Sequence, residues 1–149
     1  MADDGLVNKA ATIERCVARA RGEYAANPAG FATNFTRQDA AIPNIQRACG
    51  AALDMGQHLV RRERLGVPQS ARDVFTLLVR GGRIDDTLAN QLKRMVGFRD
   101  IAVHDYQTRQ LPITVRIITD HLHTFLQCRR DVPLHDAPLR PLAAPDNQP

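Results

Sequence analysis

The apolar residues of this chain follow a helical spacing along most of its length. Over about residues 6–24 they recur at intervals of three and four, which places them on one face of a helix. The same spacing predicts four more helices, over about residues 36–63, 71–80, 86–102 and 112–130. No stretch alternates convincingly between apolar and polar residues, as a half-buried strand would. The pattern therefore predicts an all-α fold.

Residues typical of helix starts and stops agree with these boundaries. Thr36 with Asp39, and Ser70 with Asp73, have the spacing of an N-cap followed by an acidic third position, and we expect them to begin the second and third helices. The third helix should end at the glycine pair 81–82, because glycine readily adopts the conformation that follows a helix. Pro43 should start or bend the second helix, since proline lacks the N–H that an interior position needs.

The last two predicted helices each have a clear apolar stripe. Asp85 or Asp86 is expected to cap the fourth helix, and Pro112 suits the first turn of the fifth. The inward row of the fourth helix comprises Leu88, Leu92, Met95 or Val96, and Ala102. The stripe of the fifth comprises Val115, Ile118, Leu122 and Phe125. Each row is wide enough to pack against neighbouring helices.

These elements predict one domain with a tail. At 149 residues the chain has the length of a single domain with a real core. We expect an antiparallel bundle of five helices over residues 1–131. Residues 132–149 hold five of the nine prolines, and we expect a flexible, disordered Pro-rich tail there.

Composition and charge narrow the class of protein. The formal net charge of +4 tolerates a polyanionic partner without requiring one. The three cysteines are far apart and show no metal-ligand spacing, so reduced thiols in the cytoplasm are expected. The first ten residues lack the apolar run of a secretory signal, and no run approaches the roughly 20 apolar residues of a membrane span.

The candidate chemistry lies in "KRMVGFRDIAVHDYQTRQ", residues 93–110, where Arg99, Asp100, His104 and Tyr106 follow one another closely. On an unbroken helix Arg99 and His104 point about 140° apart, whereas Asp100 and His104 share a face. If the helix frays around His104, the imidazole and the guanidinium can converge on one phosphate. Alternatively, both cations simply complement the dipole at a helix C-terminus.

The sequence of this segment resembles a known family signature. "LKRMVGFRDIAVHDYQ" is similar to the Arg-x4-His-x-Tyr motif of the HepT-like toxins of the HEPN superfamily, which here is Arg99, His104 and Tyr106. "NIQRACGAALDMGQHLV" (44–60) and "LGVPQSARDVFTLL" (65–78) also resemble family segments. The resemblance covers about residues 7–130. It implies a five-helix HEPN bundle that forms a homodimer.

The resemblance also implies an activity and a partner. Members of this family are expected to be metal-independent endoribonucleases that need no cofactor and act as the toxin of a type VII toxin–antitoxin module. The implied antitoxin is an MNT nucleotidyltransferase, which uses ATP to transfer AMP onto the motif tyrosine, here Tyr106. His104 would then be the general base toward a ribose 2′-OH, and Arg99 would hold the phosphate. RNA is the implied substrate, because DNA lacks that hydroxyl.

Two residues depart from the family pattern. Asp100 stands where the family usually has asparagine, and its carboxylate would orient His104 and raise the imidazole pKa. Gly50 stands where the family commonly has glutamate. The departure at Asp100 leaves a second interpretation open, in which the chain is a catalytically silent helical protein that binds its nucleotidyltransferase.

Overall fold

The computed structural model describes residues 4–104 and 111–134, and it describes side-chain surroundings for residues 4–99 and 113–130. Within these ranges the regular structure is helical, with no strand. The helices are α1 (Asp4–Ala25), α2 (Phe35–Glu63), α3 (Ala71–Arg80), α4 (Asp86–His104) and α5. α5 consists of three consecutive segments, Leu111–Arg116, a π-helical segment Ile117–His121, and Leu122–Leu134. The predicted set of five helices is confirmed.

The core lies where α2 meets the other helices. α1 runs along α2 in the most extensive pairing of the bundle, and α3, α4 and α5 pack on α2 as well. Of the predicted inward rows, Leu88, Leu92, Met95, Val96, Ile118, Leu122 and Phe125 are buried, Val115 is partly buried, and the side chain of Ala102 lies outside the described residues. The three cysteines are part of the core. None of the described helices is both long and apolar enough to cross a membrane.

The start of α2 differs from the sequence-based expectation. Asn34, not Thr36, is the N-cap, and its side-chain Oδ1 accepts a hydrogen bond from the backbone N–H of Arg37 at 3.1 Å. Asn34 has the extended conformation that a capping residue needs, whereas Thr36 is already within the helix. Pro43 also lies inside α2 and does not start it.

The segment between α1 and α2 is fixed by a buried glutamine. Residues 26–34, which lie between the first two helices, include a short 3₁₀ turn at Phe31–Thr33. The buried side chain of Gln38 donates hydrogen bonds to the carbonyls of Phe31 and Ala32, at 2.9 and 3.0 Å. A buried amide is tolerated because its donors are satisfied.

The ends of α3 follow the prediction. The hydroxyl of Ser70 accepts from the N–H of Asp73 at 3.2 Å. At the other end, Gly82 has φ of +72°, and the N–H of Arg83 donates to the carbonyl of Leu78 at 2.8 Å. This reversed turn satisfies the last carbonyls of the helix and directs the chain toward α4.

α4 and α5 complete the bundle. The carboxylate of Asp85 caps α4 by accepting from the N–H of Leu88 at 2.8 Å, as predicted. The sequence did not predict the π-helical segment in α5. There the hydroxyl of Thr119 donates to the carbonyl of Val115 at 3.0 Å. α5 continues to Leu134, and residues 135–149 of the predicted tail lie outside the described residues.

Candidate functional site

Three of the four predicted site residues are positions of α4. Arg99 is half-buried, Asp100 is the next helical residue, and His104 is the last residue of the helix. Tyr106 lies outside the described residues. The end of α4 is therefore the part of the fold that carries the motif.

The continuity of α4 determines the directions in which the motif positions face. The helix is continuous through His104, so it does not fray before that residue. Positions 99 and 104 therefore differ by about 140° around the helix axis, while positions 100 and 104 differ by about 40°. Within one chain, the backbone register places Asp100 and His104 on a common face and places Arg99 away from it.

The buried face of α4 holds the motif in place. Leu88, Leu92 and Val96 are buried at successive turns, and Phe98 is buried beside Arg99. The hydroxyl of Thr124 on α5 lies 3.3 Å from the side-chain oxygen of Gln91, and it is placed to donate to it. These contacts fix the rotation of the helix about its own axis, and with it the direction in which each motif position faces.

An arginine of α3 lies against the same helix. The Nε of Arg72 donates to the backbone carbonyl of Lys93 at 3.3 Å. A Cβ atom added at Gly97 would stand 2.8 Å from the Nη2 atom of Arg72. The guanidinium therefore lies over Gly97, one turn before Asp100. Sequence reasoning missed Arg72, because no spacing along the chain indicates which residue of α3 crosses α4 at a glycine.

Several positive charges lie along α4. Lys93, Arg94 and Arg99 belong to the helix, and Arg72 reaches it from α3. A surface with several cations attracts a polyanion.

A second basic surface lies apart from the motif. A groove of about 670 Å³ between α1 and α2 is lined by three arginines, Arg15, Arg19 and Arg47, and by Asp39, Pro43 and Asn44 among others. Arg15 and Arg19 are one helical turn apart on α1, which the sequence shows directly. Only the packing of α2 on α1 brings Arg47 to the same groove.

The described residues offer no evident metal centre. Among residues 4–99 and 113–130, whose side chains are described, no three His, Cys, Asp or Glu side chains are grouped so that they could hold a metal ion. His121, at the end of the π-helical segment, is partly buried, whereas His123 is exposed. The arrangement that remains for chemistry is the set of cations and the motif positions at the end of α4.

Comparison with known proteins identifies the family. The profile of the ribonuclease HepT-like family matches residues 13–132. The mRNA nuclease HepT of Shewanella oneidensis is 46% identical over 125 residues, which cover 84% of this chain and 93% of that protein. The matched region contains the whole of α4 and nearly all of α5.

Solved structures give the same result for the fold. A crystal structure of a toxin–antitoxin with AMP-PNP matches with a TM-score of 0.82 and 45% identity, over 87% of this chain and 97% of that one. A tri-AMPylated Shewanella oneidensis HEPN toxin in complex with MNT antitoxin matches with a TM-score of 0.81 and 45% identity, over 87% and 96%. The predicted HEPN-like bundle is thus confirmed, and the chain belongs to the HepT-like ribonuclease family.

Proposed function

We propose that this protein is a metal-independent endoribonuclease and the toxin of a type VII toxin–antitoxin module. The observation that carries the proposal is the Arg-x4-His-x-Tyr motif, Arg99, His104 and Tyr106, on and just beyond α4 of a chain in the HepT-like ribonuclease family. A relative with 46% identity is named an mRNA nuclease, which supports RNA as the substrate.

The proposed reaction uses groups that this chain has. The neutral imidazole of His104 removes the proton from a ribose 2′-OH at cellular pH, since histidine is the side chain that changes its charge near neutrality. The 2′-oxygen attacks the adjacent phosphorus, and the bond to the 5′-oxygen breaks as that oxygen takes up a proton. Arg99 stabilises the negative charge that builds on the phosphate oxygens. The products are a 2′,3′-cyclic phosphate and a 5′-hydroxyl.

A homodimer can bring an Arg99 and a His104 to the same phosphate, which one chain cannot do. The register of α4 separates positions 99 and 104 by about 140°. One phosphate can therefore be served by Arg99 of one protomer and His104 of its partner. Two motifs in one cleft also give one imidazole to remove the first proton and another to deliver the second. Asp100, which shares a helix face with His104, acts as the residue that orients the imidazole.

The partner is an MNT-type nucleotidyltransferase acting as antitoxin. In this proposal it transfers AMP from ATP onto the hydroxyl of Tyr106. The added group brings bulk and negative charge two residues from the base, and both exclude an RNA phosphate. A related toxin, 45% identical, is described as tri-AMPylated and in complex with an MNT antitoxin, which supports this partner and this modification.

Purified protein tests the reaction. We expect cleavage of RNA in the presence of EDTA, with a 2′,3′-cyclic phosphate at the new end. Replacing the 2′-OH at the cleavage site by hydrogen should stop cleavage, and so should His104→Ala. Cleavage that requires Mg²⁺, or that continues on the deoxy-substituted linkage, would contradict the mechanism.

One observation favours a second candidate, a catalytically silent HEPN protein that binds a nucleotidyltransferase. At position 100 this chain has an aspartate where the family usually has asparagine, and that position shares a helix face with position 104. An unpaired carboxylate repels a phosphate. Measuring both RNA cleavage and binding of the nucleotidyltransferase distinguishes the two candidate functions. If the wild-type protein binds the nucleotidyltransferase but cleaves no RNA at any pH, the silent protein is the correct description.

A further inference from the structure

The contact between α3 and α4 at Gly97 places an arginine side chain at the surface of α4. Arg72 is the second residue of α3, and its side chain is exposed. Its Nε donates to the carbonyl of Lys93 at 3.3 Å, which uses one of the five N–H donors of the guanidinium. Within residues 4–99 and 113–130, this bond from Nε is the hydrogen bond that the guanidinium forms. The four N–H donors of the Nη groups are the ones that a phosphate would use.

Gly97 is what allows this position. A Cβ at residue 97 would approach Nη2 of Arg72 to 2.8 Å, so any other side chain would displace the guanidinium. Glycine inside a helix lowers stability relative to alanine. α4 nevertheless has a glycine where the guanidinium of Arg72 lies against it.

The register of α4 relates Arg72 to the motif. Position 104 is seven residues after position 97, which corresponds to about 20° around the axis and about 10 Å along it. Arg72 thus lies on the same strip of α4 as His104, two turns earlier. That separation is too large for Arg72 to share one phosphate with His104. It suits a neighbouring phosphate of the same strand.

We propose that Arg72 is an RNA-binding residue that holds a phosphodiester next to the one that is cleaved. This inference rests on the proposed ribonuclease function. Arginine suits the role because its planar fork donates two parallel hydrogen bonds to a phosphate. The hydrogen bond to Lys93 holds the fork in place before RNA arrives, so less side-chain freedom is lost on binding.

The proposal predicts a particular kinetic effect. A contact to a phosphate that does not react is equally strong in the bound substrate and in the transition state. Losing it therefore raises KM and leaves kcat unchanged. We expect Arg72→Ala to weaken RNA binding roughly tenfold. The slope of log Kd against the logarithm of the salt concentration should decrease by about 0.7, the value for one phosphate of a single strand.

The measurement uses the full chain and a single-stranded RNA with one 2′-deoxy residue at the cleavage site. Fluorescence anisotropy at several salt concentrations gives Kd, and cleavage of the unmodified RNA gives kcat and KM. Arg80→Ala is the matched control, because Arg80 is an exposed arginine at the other end of the same helix. Its affinity and kinetics should equal those of the wild-type protein.

A second variant moves the guanidinium without removing its charge. Gly97→Ala places a methyl group where Nη2 lies, and the flexible arginine side chain can give way. This variant should weaken RNA binding, although alanine favours the helix and thermal stability should not fall. When it is combined with Arg72→Ala, no further loss of affinity is expected, because both changes remove the same contact.

The possible outcomes distinguish the role of Arg72 from the ribonuclease function itself. If the wild-type protein cleaves RNA while Arg72→Ala leaves Kd and KM unchanged, the role of Arg72 is wrong and the ribonuclease function stands. If Arg72→Ala lowers kcat and leaves KM alone, Arg72 acts at the reacting phosphate and the proposal is likewise wrong. If the wild-type protein neither binds nor cleaves RNA, the ribonuclease function itself is wrong, and the role of Arg72 falls with it.

Discussion

Glu63 at the end of α2 forms an ion pair with Arg83, which follows α3 and precedes α4. The same carboxylate accepts a hydrogen bond from Arg62 at 3.1 Å. Burial raises the pKa of Glu63, but the hydrogen bonds and positive charges of Arg62 and Arg83 outweigh it, so the pKa lies below its ordinary value of 4.5. The ionised carboxylate therefore links the end of α2 to the segment that leads into α4.

Replacing this carboxylate should make the protein less stable in a pH-dependent way. A lowered pKa in the folded state means that Glu63 contributes stability above pH 4.5, and that this contribution is lost as the pH falls through the folded value. We expect Glu63→Gln to reduce the free energy of unfolding by about 1 kcal/mol at pH 7. Urea denaturation at pH 7 and at lower pH should show the difference from wild type shrinking.

Glu14→Gln is the control, because Glu14 pairs with Arg129 at 3.3 Å but its side chain is 65% exposed. Solvent screening should make its effect at pH 7 smaller than that of Glu63→Gln. Equal effects of the two substitutions would show that the ion pair with Arg83 adds nothing specific.

The N-cap of α2 can be tested by a pair of substitutions. Asn34→Ala removes the side-chain oxygen that accepts from the N–H of Arg37, so the free energy of unfolding should fall by about 1 kcal/mol. Thr36→Ala should have little effect, because Thr36 is exposed within the first turn. Thermal or chemical denaturation of both variants decides which residue caps the helix.

Local chemistry explains which parts of the fold the sequence could predict. The caps at Ser70 and Asp85 and the stop at Gly82 involve neighbouring residues, so their signals are complete in the sequence. The spacing of Thr36 and Asp39 predicts a cap at Thr36, whereas the structure has Asn34, two residues earlier, as the cap. The deciding factor was Gln38, which is buried against the carbonyls of the preceding turn and thereby fixes where α2 begins.

The spacing of residues along the sequence does not show which residues of two different helices are in contact. The motif positions on α4 could be named from the sequence, because they lie within a single helix. The place of Arg72 over Gly97 depends on how α3 crosses α4, and the groove at Arg47 depends on how α2 lies on α1. Both residues are ordinary arginines in the sequence, and only packing shows what they face.

Two glycines of α2 should respond in opposite ways to alanine. A Cβ at Gly56 would stand 2.8 Å from Cγ1 of the buried Val74 and 3.2 Å from Cδ1 of Leu78, so Gly56→Ala should destabilise the protein by about 1–3 kcal/mol. A Cβ at Gly50 would meet nothing within 4 Å, so Gly50→Ala should increase the free energy of unfolding by up to about 1 kcal/mol. Urea denaturation of both variants measures whether each substitution raises or lowers this free energy. A gain at Gly56 would mean that α2 and α3 are not in close contact there.

The effect of Asp100 on catalysis can be read from a pH profile. A carboxylate that faces His104 favours the imidazolium and so raises the pKa of the base. Asp100→Asn should therefore lower the pH at which RNA cleavage reaches half its maximum, and it should increase the rate near pH 6 several-fold. Initial rates between pH 5 and 8 test this. An unchanged profile would show that Asp100 does not act on His104, and Asp73→Asn on α3 provides a control for the loss of one negative charge.

Modification of Tyr106 can be detected by mass. Co-expression with an MNT-type nucleotidyltransferase should add roughly 329 Da to the chain for each adenylyl group. The added mass should be absent from Tyr106→Phe, and the modified protein should lose its ribonuclease activity. Tyr24→Phe is the matched control, since the ring of Tyr24 packs edge-on against Phe31 with ring centroids 5.3 Å apart. An adduct that persists in Tyr106→Phe would place the acceptor elsewhere.

The π-helical segment in α5 also affects how this fold tolerates changes in length. A π turn closes hydrogen bonds between residues five apart, so it holds one residue more than an α-helical turn over the same core. Within this segment the hydroxyl of Thr119 donates a hydrogen bond to the carbonyl of Val115, one turn earlier. Deleting one residue here would convert the bulge to a plain α-helix and leave Phe125 and Cys128 seated as before, so homologues one residue shorter at this point can keep the same interior.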